Sequence, residues 1–161
     1  MKTKKFCIKA IIFFVLIVSL SSFSFAQSAA FFTTVLEAES VSWEQAVYLV
    51  MAGSERLPED AASNQAWQLF TETQWIRKIP DPQSPIKTSQ YSRLIARAFK
   101  VKGGLFYTVF KNNRYSYREL VHKNVIPGSM DPGSAVKGTD ALKILDKAIS
   151  LFPVDANAED K

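Results

Sequence analysis

From residue 42 onward, apolar positions recur at steps of three and four, the period of helices that turn one face to a core. Ser42 is a good N-cap, and Gln45 completes a capping box ahead of Ala46, Val47, Leu49, Val50 and Met51. Gly53 is the expected stop. A second helix is predicted over residues 59–75, where Ala62, Ala66, Leu69, Phe70 and Thr73 share a face, with Trp67 and Trp75 alongside. Pro80, Pro82 and Pro85 forbid helix across residues 80–85. Thr88 or Ser89 caps the next helix, with Tyr91, Leu94, Ile95, Ala98 and Phe99 inward and Lys102-Gly103-Gly104 at its end.

Residues 105–110 (LFYTVF) fit either a short strand or a buried helical turn; helix is favoured because no partner strand is evident. Residues 115–123 follow as a helix with Tyr117, Leu120 and Val121 inward. Asn124, Pro127-Gly128 and Asp131-Pro132-Gly133 carry turn chemistry. Thr139 caps the last helix, in which Ala141, Leu142, Ile144, Leu145, Ala148, Ile149 and Phe152 form a stripe, and Pro153 ends it. The pattern predicts an all-α domain.

The N-terminus is patterned differently. Lys2, Lys4, Lys5 and Lys9 precede an apolar core, residues 10–20, and small residues follow at Ser24 and Ala26. These are the three parts of an export signal, with cleavage before Gln27 or, as the alternative, after Ala30. The core is about half the ~20 residues that a spanning helix needs, so it reads as a cleaved leader. Cys7 lies before the core, where it does not serve lipid attachment. The expected location is periplasmic, or secreted to the medium or cell surface, with membrane contact only through the leader before cleavage. The expected layout is a leader at 1–26, a lead-in at 27–40 that is poorly ordered over 27–33, a helical domain at 41–152 and a polar tail at 153–161.

Charge changes its meaning once the leader is set aside. The whole chain carries 20 basic and 15 acidic residues, a net charge of +5. Four of the lysines and none of the acids lie in residues 1–26, which leaves +1 for the remainder. The high pI of about 9.3 therefore gives no case for nucleic-acid binding. With its one cysteine in the leader, the exported portion has no disulfide and must be held by apolar burial. One histidine, His122, excludes a histidine cluster; no metal or other cofactor is expected.

Three places share a pattern of an aliphatic residue, a short polar stretch and a helix start: residues 41–46 (VSWEQA), 86–91 (IKTSQY) and 136–141 (VKGTDA). They are spaced by 45 and 50 residues. Two helix-loop-helix units, about 41–85 and 86–135, would then share one core with a closing helix at 139–152. Each first helix is expected to find its partner in the next unit.

On these residues the chain resembles S-layer homology modules, the helical repeats of bacterial cell-envelope proteins. Residues 86–99 (IKTSQYSRLIARAF) look like that family's first helix and residues 115–126 (YSYRELVHKNVI) like its second helix and turn. Residues 128–136 (GSMDPGSAV) look like its extended loop. The likeness spans about residues 41–152, strongest in the second unit. It implies an envelope scaffold that grips wall polysaccharide. Polysaccharide-binding members carry Thr-Arg-Ala-Glu at the first helix, whereas the matching positions here read Ser-Trp-Glu-Gln, Lys-Thr-Ser-Gln and Lys-Gly-Thr-Asp, without the arginine.

The candidate ligand-binding residues are Lys111, Asn113, Arg114, Tyr115, Tyr117 and Arg118, with Asn112 in the same turn. Amides, guanidinium groups and aromatic rings are the types that hold sugars and acidic polymers; the plainer reading is a solvated turn before an amphipathic helix. Trp43, Trp67 and Trp75 are expected in the core. His122 and Ser116, Ser129 or Ser134 lack the Gly-x-Ser-x-Gly elbow, and no catalytic residue is assigned. The chain is thus expected to be a non-enzymatic envelope protein that docks onto an envelope polymer or partner protein. The alternative is a small periplasmic hydrolase of wall polymer, requiring a deep cleft and an acid of raised pKa. A third possibility is an assembly subunit with an exposed apolar patch near Phe106, Tyr107 and Phe110.

Overall fold

The computed structural model describes residues 30–57, 61–110 and 112–153. The expected leader, Lys111 and the tail beyond Pro153 lie outside them. Helix α1 covers residues 30–37. It is followed by α2 (Trp43–Gly53), α3 (Ser63–Glu72), α4 (Thr88–Ala98), α5 (Leu105–Phe110), α6 (Asn113–His122) and α7 (Gly138–Leu151). Among the described residues the remaining pairing is two isolated antiparallel bridges, Ser42 with Pro85 and Lys87 with Ala135. The fold is all-α.

The chain divides into two compact units after Thr34. In the first, Thr34 Oγ1 donates to the Ala30 carbonyl at 2.9 Å. The second, from Val35 onward, contains α2 to α7 and begins six residues before the Val41 start expected from the pattern.

Within it, the three repeated starts meet at one point. Val41, Ile86 and Val136 are buried, and their backbones close a ring. The Val41 N–H donates to the Val136 carbonyl (2.8 Å), Val136 to Ile86 (3.0 Å), and Ile86 to Val41 (2.9 Å). Two residues later the relation recurs: Trp43 N–H donates to Ser84 O (3.0 Å), Thr88 to Ser134 O (2.9 Å) and Gly138 to Ala38 O (2.9 Å). Each helix start therefore has a first-turn N–H, which no helix can satisfy internally, answered by the segment leading into another of the three helices. The loop before α4 serves α2, the loop before α7 serves α4, and residues 35–41 serve α7.

The equivalence carries into the core. Leu49, Leu94 and Ile144 occupy matching positions, as do Val50, Ile95 and Leu145, and all six are buried. At a third set, Ala46 and Ala141 are matched by Tyr91, the one large side chain of the three. Its hydroxyl donates to the Ala141 carbonyl at 3.1 Å and ties α4 to α7. Leu120 is also fully buried. The stripe on α7 is narrower than its sequence pattern: Leu142 is half-buried and Ile149 is 45 % exposed.

Several local expectations are corrected. The main partner of each long helix comes from its own unit, α3 for α2 and α6 for α4, while α2 also meets α4 and α7. The Ser42–Gln45 capping box forms as predicted, with both reciprocal bonds present. At α4 and α7, however, the N-caps are Lys87 and Lys137, not Thr88 or Thr139. Thr88 is drawn inside because its hydroxyl bonds to Ser134 O at 3.2 Å. Helix α2 ends at Gly53 as expected, but among the described residues no glycine takes the left-handed turn beyond a helix. Glu55, Lys100 and Asn124 take the left-handed conformation, with φ of 56°, 48° and 58°. The residue after each donates back across the helix end, Arg56 to Met51, Val101 to Ala96 and Val125 to Leu120.

Gly138 has a different use. It sits in the first turn of α7, where Trp43 and Thr88 stand in the other two helices, and a Cβ there would overlap the Val35 carbonyl. The segment that closes the ring lies too near for any larger residue.

Candidate binding surface

Helix α6 distributes the residues singled out from the sequence onto different sides. Asn112 is its N-cap, and its side chain accepts from the Tyr115 N–H at 3.1 Å. Ser116 and Leu120 are buried. Asn113 turns toward α4, where its Oδ1 accepts from Arg93 at 3.5 Å. The Tyr117 hydroxyl donates to the Met130 carbonyl at 2.5 Å and holds the loop that follows the helix. Asn113 and Tyr117 therefore serve the fold. Tyr115 and Arg118 face α5, Arg114 is exposed beside them, and Lys111 lies outside the described residues.

Helix α5 makes this side unusual. Tyr107 alone of its six residues is buried. Its hydroxyl reaches the Ala96 carbonyl at 3.5 Å, and burial pushes its pKa up, with Glu119 adding to the rise and Arg97 opposing it. Gly103 permits this seating, since a Cβ there would lie 2.8 Å from Glu119 Cδ and overlap the Tyr107 ring. Glu119 fixes the start of the helix, accepting from the Gly104 N–H at 3.2 Å and pairing with Lys123 at 3.5 Å.

Four apolar side chains are left outside: Leu105 is 77 % exposed, Phe106 64 %, Val109 65 % and Phe110 54 %. The Tyr115 ring stacks on both phenylalanines, with centroids 6.1 Å from Phe106 and 5.3 Å from Phe110 and interplanar angles of 11° and 18°. Between α5 and α6 opens a cleft of about 400 Å³, lined among others by Phe106, Tyr107, Tyr115, Arg118, Glu119 and His122. Exposed apolar residues of this kind mark contact surfaces more often than catalytic centres. Phe106 and Phe110 thus lie where an exposed patch was expected, while Tyr107 points inward.

Charge adds a second feature that the whole-chain total conceals. Residues 82–118 contain eight lysines and arginines and no aspartate or glutamate. This stretch forms α4, α5 and the first half of α6, and it places exposed Lys102, Arg114 and Arg118 on either side of α5, with Glu119 the acid that lines the cleft. Arg93 reflects this local charge: burial lowers its pKa, and the charges of Arg97 and Arg77 lower it further. A window of charge along the sequence would have found this segment, because acids elsewhere cancel it in the sum.

The remaining candidates are structural. Trp43 is buried and Trp67 half-buried, packing on Phe70 with ring centroids 6.1 and 5.4 Å away. The Arg56 guanidinium lies 5.4 Å from the Trp75 ring centre. A second hollow of about 180 Å³ lies between α7 and the loop at 125–130. Among the described residues no group of three metal-binding side chains occurs, and no helix is long and apolar enough to cross a membrane.

No family model, curated protein or solved structure matches this chain. The reading of the surface rests on its own chemistry.

Proposed function

We propose that this is an exported, non-enzymatic protein of the bacterial cell envelope, a helical scaffold whose α5–α6 face docks onto an envelope component. The observation that carries the reading is α5 itself: Leu105, Phe106, Val109 and Phe110 stand in water on a helix anchored by Tyr107. A monomer gains nothing from such a patch unless something covers it. The export signal read at 1–26 and the resemblance to S-layer homology modules support an envelope location. From the sequence the component is an envelope polymer or a partner protein, with Tyr115, Arg118 and Arg114 as the polar anchors. Asn113 and Tyr117 are already engaged within the fold. The hydrolase reading draws less support, because a two-carboxylate mechanism needs two available acids. Of the residues lining the cleft, Glu119 is the acid, and it is held by Gly104 and Lys123.

The test is co-sedimentation of the exported protein with envelope fractions, wall sacculi and extracted membranes being assayed separately. Recovery in either pellet, reduced by Phe106→Ser/Phe110→Ser, is the expected result. A protein that stays in the supernatant with both fractions defeats the proposal.

A further inference from the structure

Resting on the docking reading, we infer that the α5–α6 face binds an anionic lipid bilayer, with α5 lying in the interface and its apolar side chains entering the headgroup–acyl boundary. Two independent features meet here. The first is the four exposed apolar residues of α5. The second is the acid-free stretch 82–118, which supplies exposed Lys102 before α5 and exposed Arg114 and Arg118 after it. An apolar centre with a cationic rim is the combination that an anionic membrane surface rewards: side chains displace interfacial water while lysine and arginine meet lipid phosphates.

Other occupants fit less well. A sugar-stacking platform needs an open aromatic face, and the ring of Tyr115 stacks against both Phe106 and Phe110. A purely acidic polymer would use the arginines and lysines but leave Leu105 and Val109, 77 % and 65 % exposed, in water. A second copy docking by the same face would bring two cationic rims together, which like-charge repulsion opposes. The acid nearest α5 is Glu119, and its carboxylate is neutralised by Lys123 at 3.5 Å.

The experiment uses the full chain expressed with its leader, the exported form being purified and its N-terminus read by mass spectrometry. Binding is measured by sedimentation with vesicles of phosphatidylcholine alone or of phosphatidylcholine mixed with phosphatidylglycerol. Binding to the mixed vesicles, weakened by salt and weak on phosphatidylcholine alone, is expected. Phe106→Ser/Phe110→Ser should weaken it about tenfold or more. Leu105→Ser/Val109→Ser removes apolar surface without touching the Tyr115 stack and should act in the same direction, which guards against a folding defect in the first variant. Arg118→Gln should weaken binding about fivefold, the worth of one charge at such a surface. Sedimentation with sacculi but not with vesicles overturns the lipid assignment while leaving envelope docking in place. Dimerisation that the serine variants abolish, without vesicle binding, also overturns it. Failure to bind any of these removes both proposals.

Discussion

Tyr91 offers a sharp test of how the three central helices are joined. It is fully buried, and its hydroxyl donates to the Ala141 carbonyl at 3.1 Å across two helices. Burial raises its pKa well above the ordinary phenol value. Tyr91→Phe removes one buried hydrogen bond and keeps the ring, so at about pH 7 it should cost about 1 kcal/mol. At alkaline pH the sign changes. Above about pH 10 an unfolded tyrosine loses its proton while the buried one keeps it. The native state then binds more protons, and wild-type stability falls by about 1.4 kcal/mol per pH unit from this group until the folded pKa is reached. Phenylalanine has no such slope. The two stability curves should therefore cross near pH 11, with the variant the more stable above the crossing. Urea unfolding followed by far-ultraviolet circular dichroism, repeated across the alkaline range, reads this directly. Tyr107 and the lysines titrate in both proteins and drop out of the difference. An unchanged gap between the variants from neutral to alkaline pH would refute the buried, proton-holding role of Tyr91.

Further expectations follow from backbone geometry. Gly138→Ala places a methyl group on the Val35 carbonyl, and should lower unfolding free energy by about 3 kcal/mol; a neutral effect in urea would show that residues 35–38 do not close over α7. Glu55→Gly relieves a left-handed residue with φ of 56° at the end of α2. It should raise stability by up to about 1 kcal/mol, read as a shift in urea midpoint at constant slope. Ser42→Ala removes the acceptor of the Gln45 N–H at 3.2 Å, and should cost about 1 kcal/mol in the same assay.

Much of the helical architecture was legible in the chain. The periods of apolar residues located α2, α3, α4, α6 and α7, because a helix with one buried face leaves that spacing. Residues 105–110 were read as helix only for want of a partner strand, and α1 lies where a lead-in was expected. Ser42 and Gln45 announced their capping box because both bonds are made within four residues. The repeat at Val41, Ile86 and Val136 was visible too, since equivalent positions in a core demand similar side chains. Among the candidate site residues, Tyr115 and Arg118 were found by type and do line the cleft.

Other features needed the folded chain. Thr88 and Thr139 read as caps because their hydroxyls are suited to it, yet Thr88 is turned inward by Ser134, 46 residues away. Glu55 and Lys100 take the left-handed positions beyond α2 and α4 although glycines stand nearby. The sides of α6 taken by Tyr117 and Tyr115 follow from Met130 and from α5, neither of which a local pattern contains. The exposure of Phe106 and Phe110 is of the same kind: composition marks them as apolar, and the Tyr107 anchor decides that they face outward. Local hydrogen bonds and apolar periodicity thus determine the helices and their caps. The ring of three helix starts and the exposed face of α5 depend on groups further apart in sequence, and tertiary packing alone decides them.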